Sequence, residues 1–129
     1  MADKPLQPGK VIEPDIEMDL VQGIMPGSKN EYYFSLALDK LDYDYYFQYQ
    51  VGSAGIRGSQ RIDFVVFVAG QQKACFIQGM YWHTTHTKSE DDLKHAVAEQ
   101  RFGIGNVVDF DDDETKDVAT SINSIRKKL

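Results

Sequence analysis

The fold is decided by one stretch of the sequence, which runs from residue 61 to residue 86 and comprises RIDFVVFVAGQQKACFIQGMYWHTTH. Apolar side chains recur at every second position in its first part, at Ile62, Phe64, Val66 and Val68. This period of two predicts a β-strand over residues 61–69. The residues that follow predict a turn over 69–72, in which Gly70 can take a positive φ.

A second strand is predicted over residues 73–81, because Cys75, Phe76 and Ile77 form a second apolar run. If the two strands pair through the turn, Asp63 and the segment 79–83 lie toward the same end of the hairpin. An acidic group and an imidazole at one end of a sheet can hold a divalent metal ion and move a proton. This end of the hairpin is therefore the first candidate for a functional site.

The composition predicts one globular domain in a reducing compartment. The chain has 129 residues, of which 42% are hydrophobic, and this suffices for a sizeable core. No apolar run approaches the roughly 20 residues of a membrane helix, and no signal peptide is recognisable. The single Cys75 indicates the cytoplasm rather than a disulfide framework. The net charge of −6 argues against phosphate-backbone binding by the whole surface, although a local basic face stays compatible with it.

The first part of the chain divides into an arm and the start of a domain. Residues 1–27 contain all four prolines and predict an irregular N-terminal arm, and residues 28–129 predict the folded domain. Ser28 as N-cap and Glu31 three residues later form a capping box, so a helix is expected to run to about Lys40. A strand rich in Tyr and Phe follows over residues 42–50, and then a glycine-rich loop carries Arg57.

The second half of the chain predicts two more helices with a strand between them. Ser89 is the expected N-cap of a helix that Gly103 ends, and residues 104–110 predict a fourth strand. Apolar residues at helical spacing from Val118 to Ile125 predict the last helix. The order helix, three strands, helix, strand, helix predicts an α/β fold in which helices flank a mixed sheet.

These residues resemble a known nuclease superfamily. The segment FIQGMYWHTTH, residues 76–86, is similar to the F-x-x-G-x-[FY]-W-H-x-x-H segment of the very short patch repair endonucleases. The predicted element order is that of the PD-(D/E)XK nucleases, of which these enzymes and the related EDxHD homing endonucleases are a branch. The resemblance covers about residues 28–112 and implies a restriction-endonuclease-like αβββαβ core.

The resemblance implies a catalytic set of Glu31, Asp63, His83 and Asp92. Asp63 and a backbone carbonyl near Ile77 would hold Mg²⁺, for which Mn²⁺ can substitute, and the ion would polarise the phosphate of DNA. His83 would accept the proton of the attacking water, and Asp92 would fix its tautomer. Glu31 would orient a water molecule.

The same resemblance makes DNA the expected partner. The side chains that flank the hairpin and could contact phosphates are Arg57, Arg61, Lys73, Lys88 and His86. A homodimer and a protein assembly partner both stay open. Gln78 and Met80 occupy the positions where most of the superfamily has an acid and a Lys, which favours a module of this fold that has lost catalysis.

Each candidate also has a purely structural interpretation. Local sequence favours Glu31 as a helix cap, and Asp63 could bond a neighbouring backbone amide. His83 could cap the third strand, and His86 could belong to a solvated loop. Asp92 competes with Asp91 for the same role and with simple complementation of the helix dipole.

Differences between this sequence and the very short patch repair endonucleases restrict the function that the resemblance implies. Thr84, Thr85 and Thr87 stand in the segment where the repair enzymes carry zinc ligands, so mismatch repair is not implied. A zinc site of His83, His86 and Cys75 fits poorly, since no second cysteine exists. The expectation is a phage- or mobile-element-type endonuclease that nicks or resolves DNA in the cytoplasm of a bacterial host. The alternative is an inactive module of the same fold that serves as a binding or structural protein.

Overall fold

The computed structural model describes residues 17–51, 60–78 and 88–129. Their elements, in chain order, are α1 (Lys29–Lys40), β1 (Tyr45–Val51), β2 (Gln60–Val68), β3 (Gln71–Ile77), α2 (Lys88–Phe102), β4 (Val107–Phe110), a 3₁₀ turn (Asp113–Thr115) and α3 (Val118–Lys128). This order confirms the predicted α/β class and the αβββαβ sequence of elements. Within these residues, no helix is long and apolar enough to cross a membrane.

The four strands form one mixed sheet in the spatial order β1-β2-β3-β4. β1 and β3 both pair antiparallel with β2, whereas β4 pairs parallel with β3. The parallel pair requires a crossover connection, and α2 lies within it. The predicted mixed sheet with helices packed on it is therefore confirmed.

The turn between β2 and β3 is tighter than the sequence predicted. Val68 pairs with Gln71, so only Ala69 and Gly70 form the turn, and β3 begins at Gln71 rather than at Lys73. Both turn residues have positive φ, 50° for Ala69 and 81° for Gly70. This is the type I′ geometry whose twist matches that of the flanking strands. The part of the predicted β3 beyond Gln78 lies outside the described residues.

The start of α1 follows the predicted cap, whereas the predicted start of α2 is wrong. Ser28 has an extended backbone, and its hydroxyl accepts a hydrogen bond from the Glu31 amide at 3.2 Å. α2 already begins at Lys88, so Ser89 lies in its first turn and is not the N-cap. An N-cap residue needs a non-helical backbone, whereas Ser89 lies within α2. The residue three positions after Ser89 is Asp92, where a capping box has Glu or Gln.

Hydrophobic clusters cover both faces of the sheet. On the α1 and α3 face, the Phe34 ring lies 4.9 Å from that of Phe64 and 4.8 Å from that of Phe110, measured between centroids. On the α2 face, Phe76 packs in a second cluster with Ala98 of α2. The aromatic pairs add specific ring geometry to the burial of apolar area, so they fix how α1 sits on the sheet.

Along β1 and β2, the side chains change from one face of the sheet to the other at Gln48 and Asp63. Phe47 and its partner Phe64 belong to the α1 cluster, whereas Tyr49 and its partner Ile62 belong to the α2 cluster. Residues two apart on a strand normally share a face, so the alternation reverses at the position between them. Ile62 therefore packs on the α2 face, whereas Phe64, Val66 and Val68 pack on the α1 face, although the period of two correctly predicted the strand.

The segment before α1 packs on the free edge of the sheet. Val21 is buried and forms an isolated β-bridge with Ile24. The side-chain amide of Gln22 donates to the Tyr45 carbonyl and accepts from the Phe47 amide at 2.9 Å, as a neighbouring strand would. Residues 17–27 thus protect the edge of β1.

Candidate functional site

Asp63 lies where the backbone pairing between β2 and β3 stops. The last pair is Phe64 with Cys75, and the same register would place Ile77 opposite Ile62. Instead, the Ile77 amide donates a hydrogen bond of 2.8 Å to Asp63 Oδ2. The carboxylate therefore takes the place of a backbone acceptor, and the two strands diverge beyond it.

This contact supports the structural interpretation, in which Asp63 bonds a neighbouring backbone amide. It is also compatible with the functional interpretation, in which Asp63 is a metal ligand. A carboxylate has two oxygens and about four lone-pair sites, so one amide does not exhaust its capacity as a ligand. The structure presents Ile77 to the site through its amide. The expected role of the Ile77 carbonyl as a metal ligand stays a prediction.

Glu31 is the second carboxyl group of the site. It projects from the first turn of α1, where its Oε1 is buried and has no hydrogen-bond partner among the described residues. Gly27 permits the close approach of the other oxygen, since a Cβ there would meet Glu31 Oε2 at 3.1 Å. The cap and the site are thus built from the same turn of helix.

The environment of Glu31 raises its pKa to about 7. Burial of the carboxyl group is the largest cause, and the nearby negative charge of Asp63 adds to it. A hydrogen bond from the Gly27 backbone, the Gln48 amide and the positive charge of Arg61 oppose the rise. Asp63 and Arg61 therefore lie near enough to Glu31 for their charges to affect its pKa.

Gln48 is a member of this cluster that the sequence analysis missed. The Gln48 side chain is among the groups that lower the pKa of Glu31, and its Oε1 accepts a hydrogen bond from Arg61 Nη1 at 3.5 Å. The one signal in the sequence was a Gln in the middle of the aromatic strand YYFQYQV. We name Glu31, Gln48, Arg61 and Asp63 together the acidic site.

The remaining predicted residues fall into two groups. His83, His86 and Arg57 lie outside the described residues, and of Lys88 only the backbone at the start of α2 is described. Asp92 is exposed on α2. Lys73 lies four positions before Ile77 on β3, about 13 Å away at the rise of an extended strand, so it is not part of the acidic site.

A different acid–imidazole pair lies on the α2 face of the sheet. His95 Nε2 of α2 is 2.9 Å from Asp109 Oδ1 of β4. The imidazole stacks on Phe76, with 5.4 Å between the ring centroids and 16° between their planes. The pair joins α2 to the sheet on the face opposite α1, and the sequence analysis did not find it.

The donors of the acidic site fit a hard divalent cation. Mg²⁺ is commonly held by one or two carboxylates and completes its shell with water and substrate phosphates. Glu31 and Asp63 supply such a pair, and the unpartnered Glu31 Oε1 is an oxygen that a cation would satisfy. Among residues 17–51, 60–78 and 88–129, no group of three or more His, Cys, Asp or Glu side chains could hold a metal ion, so the shell depends on those further ligands.

Cys75 contributes no ligand to a metal site. It is fully buried in the α1 cluster, and burial raises the pKa of its thiol well above the usual range. Zinc needs the thiolate form, which this environment disfavours. The zinc site of Cys75, His83 and His86 that the sequence disfavoured gains no support.

No protein-family model, no curated protein and no solved structure matches this chain. The resemblance to the PD-(D/E)XK nucleases therefore stays a prediction from the sequence. The inference of function rests on the chemistry of the acidic site.

Proposed function

We propose that this protein is a Mg²⁺-dependent DNA endonuclease of the PD-(D/E)XK type that hydrolyses a phosphodiester bond at the acidic site. One observation carries the proposal. Two carboxyl groups, Glu31 and Asp63, lie close enough for the charge of one to raise the pKa of the other, and one buried oxygen of Glu31 has no hydrogen-bond partner among the described residues. Such an arrangement is costly unless a cation or a proton occupies it, which is typical of a working site.

Asp63 is the better placed of the two carboxylates to hold the ion. Its Oδ2 is oriented by the Ile77 amide, so the side chain needs little further ordering when a cation arrives. A bound Mg²⁺ would supply charge to stabilise the phosphate oxygens during displacement. Mn²⁺ prefers similar oxygen ligands and is expected to substitute for it.

The second role proposed for Glu31 concerns water. With a pKa of about 7, Glu31 is close to half ionised at neutral pH before a cation binds, and a bound cation would favour the ionised form. The ionised carboxylate can orient a water molecule or accept its proton. His83 is the second candidate acceptor, with Asp92 as the group that fixes its tautomer. These two assignments come from the sequence resemblance alone.

DNA would approach over the end of the β2–β3 hairpin. Arg61 is the exposed member of the acidic site, and its guanidinium can contact a phosphate. Arg57, Lys88 and His86 are the further proposed contacts, and Lys73 would meet the backbone at a distance from the scissile bond. Because the protein has a net charge of −6, we expect DNA to contact only a local basic face and not the whole surface.

The second candidate is an inactive module of the same fold that binds a protein or serves in a viral or nucleic-acid assembly. It is favoured by Gln78, a buried neutral residue at the end of β3 where the superfamily has an acid. Its backbone amide donates to the Phe110 carbonyl at 2.8 Å, so the residue extends the sheet. A homodimer would be compatible with either function. For both functions we propose a cytoplasmic location, which is the cytoplasm of a bacterial host if the gene is of phage origin.

A plasmid-nicking assay with Mg²⁺, Mn²⁺ or EDTA tests the proposal. We expect cleavage by the wild type with either metal ion and none with EDTA. Asp63→Asn should abolish it, whereas Asp109→Asn removes a carboxylate on the opposite face and should retain it. Absence of cleavage under all conditions, combined with retained binding of DNA or of a protein, would favour the inactive module. Equal cleavage by wild type and Asp63→Asn would refute the proposed site.

A further inference from the structure

An open pocket lies at the start of β1, at the other end of α1 from the acidic site. Its volume is about 640 Å³, which is within the range typical of ligand pockets. Four aromatic rings and two carboxylates form most of its lining: Tyr43, Tyr45, Tyr46, Phe67, Asp39 and Asp44. Glu31 lies in the first turn of α1 and Asp39 in its last, about 12 Å further along the axis at 1.5 Å per residue. We call this second site the aromatic pocket.

Neighbouring rings hold the Tyr46 wall of the aromatic pocket in place. The Tyr46 centroid lies 5.4 Å from that of Phe67, edge to face, and 5.7 Å from that of Tyr49, with 22° between the ring planes. Tyr46 is nevertheless 50% exposed. A ring that is ordered by its neighbours and still open to solvent loses little conformational freedom when a partner packs on it.

The two carboxylates of the aromatic pocket form no ion pair within residues 17–51, 60–78 and 88–129, and no Lys or Arg of these residues lines the pocket. Asp39 Oδ1 accepts a hydrogen bond of 3.1 Å from the Tyr45 hydroxyl, which leaves the carboxylate capacity for further donors. The backbone of Asp44 is fixed to β2, because its carbonyl accepts from the Phe67 amide at 3.0 Å. The pocket thus presents negative charge beside aromatic faces.

A guanidinium is the cation that fits this combination best. It stacks on aromatic rings and donates paired hydrogen bonds to carboxylates. It is also more weakly hydrated than an ammonium group, so it loses less when it leaves water for a ring face. The lining therefore favours an arginine side chain over a lysine side chain.

Exposed apolar side chains near the aromatic pocket favour a protein as the source of the guanidinium. Six large hydrophobic residues in the described part of the chain are exposed, and three of them belong to the segment that protects the edge of β1: Leu20, Ile24 and Met25. Gln22 of the same segment lines the pocket, and its side chain is hydrogen-bonded to the backbone of β1. A small cation would leave the three apolar side chains in water, whereas a polypeptide can cover them.

We propose that the aromatic pocket binds an arginine side chain of a protein partner, and that apolar residues beside this arginine cover Leu20, Ile24 and Met25. The carboxylates of Asp39 and Asp44 supply the charge that attracts the guanidinium, and Tyr46 supplies a ring face for it. The inference is independent of the proposed function, since it holds whether or not the acidic site cleaves DNA.

The test is an NMR titration of the ¹⁵N-labelled full-length protein with two short peptides. One is an acetylated pentapeptide whose central arginine is flanked by leucines, and the other has citrulline, an uncharged residue of nearly the same shape, in place of the arginine. The arginine peptide should shift the amide signals of Tyr45, Tyr46 and Phe67. It should bind about tenfold more tightly than the citrulline peptide, which lacks the charge that two carboxylates attract.

Variants of the lining connect this affinity to the pocket. Asp44→Asn and Tyr46→Leu should each weaken binding of the arginine peptide about two- to fivefold. Asp42→Asn is the matched control, because it removes the same charge from an exposed neighbour that does not line the pocket, and Asn tolerates the φ of 63° at this position. At physiological salt, this control should bind within a factor of about two of the wild type.

Equal affinity for the two peptides, or no binding of the arginine peptide, would overturn the proposal. Equal losses in Asp44→Asn and Asp42→Asn would also overturn it, because general charge would then explain the binding. Methylguanidinium that binds as tightly as the arginine peptide would refute the protein partner and assign the pocket to a small cation. The ¹⁵N spectrum of each variant shows directly whether it is folded, so a loss of affinity can be separated from a loss of structure.

Discussion

Asp63 Oδ2 accepts a hydrogen bond of 2.8 Å from the backbone amide of Ile77 at the point where two strands of the sheet diverge. Ile77 is buried, so this amide has little access to water if the carboxylate is removed. Asp63 therefore stabilises the hairpin in addition to its proposed role in the acidic site.

Asp63→Ala is therefore expected to destabilise the protein by about 1–3 kcal/mol, the cost of an unsatisfied buried donor. Asp63→Asn keeps an acceptor oxygen at the same position and should lose clearly less. Urea unfolding at neutral pH gives both values. Equal losses in the two variants would show that the Ile77 amide does not depend on this acceptor.

Glu31 is expected to make stability depend on pH. Its pKa is about 7 in the folded protein against 4.5 for an ordinary glutamate, so the folded state holds the proton more tightly. The contribution of Glu31 to the free energy of unfolding is then greatest below about pH 4.5 and falls by up to about 3 kcal/mol as pH rises through 7.

Glu31→Gln removes this titration. Between pH 5 and pH 8 the unfolding free energy of the wild type should therefore decrease relative to that of the variant. Urea unfolding of both proteins at several pH values measures it. The exposed Glu99→Gln is the control and should follow the wild type. A constant difference between Glu31→Gln and wild type over this range would contradict the assigned pKa.

The sequence predicted the elements more completely than the details of the site. The period of two and the turn at Ala69–Gly70 predict a hairpin because both depend on neighbouring residues alone. The start of α1 at Ser28 could be predicted for the same reason, since a helix cap is a local interaction. The proximity of Glu31 and Asp63 followed from the family resemblance. The period of two predicted the strand but could not show that Ile62 packs on the α2 face. This exchange of faces coincides with the left-handed backbone of Gln48 on the neighbouring strand, where φ is 53°, and no pattern within β2 records it.

Contacts between distant elements were beyond the sequence analysis. His95 and Asp109 lie on different elements, and only the packing of α2 on the sheet brings them together. Gln48 and Arg61 are similarly joined by strand pairing and by a backbone conformation that propensity does not predict. Both cases depend on tertiary register, which local residue preferences leave undetermined.

The hairpin turn offers a test of the fold itself. Ala69 has φ of 50° in a type I′ turn, a conformation that costs a residue with a Cβ about 1 kcal/mol or more. Asn tolerates it better, and Asn before Gly is the preferred pair in this turn. Ala69→Asn should therefore stabilise the protein by about 0.5–1 kcal/mol in urea unfolding. A destabilised variant would show that the turn has a different geometry.

The proposed base is tested by His83→Ala. A general base contributes about 10²–10⁴-fold to the rate, so the variant should lose that factor while its affinity for Mg²⁺ changes little. Asp92→Asn should lose less, because the imidazole remains. Single-turnover cleavage over a range of pH measures both. If His83→Ala keeps the wild-type rate and pH profile, the proton is accepted elsewhere, and Glu31 becomes the stronger candidate.

The central claim is that Glu31 and Asp63 together bind a divalent cation. The most direct measurement is the titration of the Glu31 carboxyl carbon by NMR with and without millimolar Mg²⁺, because it needs no knowledge of the DNA substrate. A bound cation favours the ionised form, so Mg²⁺ should lower the pKa of Glu31 from about 7 toward the ordinary range, and Asp63→Asn should weaken this response. A Glu31 titration that Mg²⁺ leaves unchanged in the wild type would contradict the account.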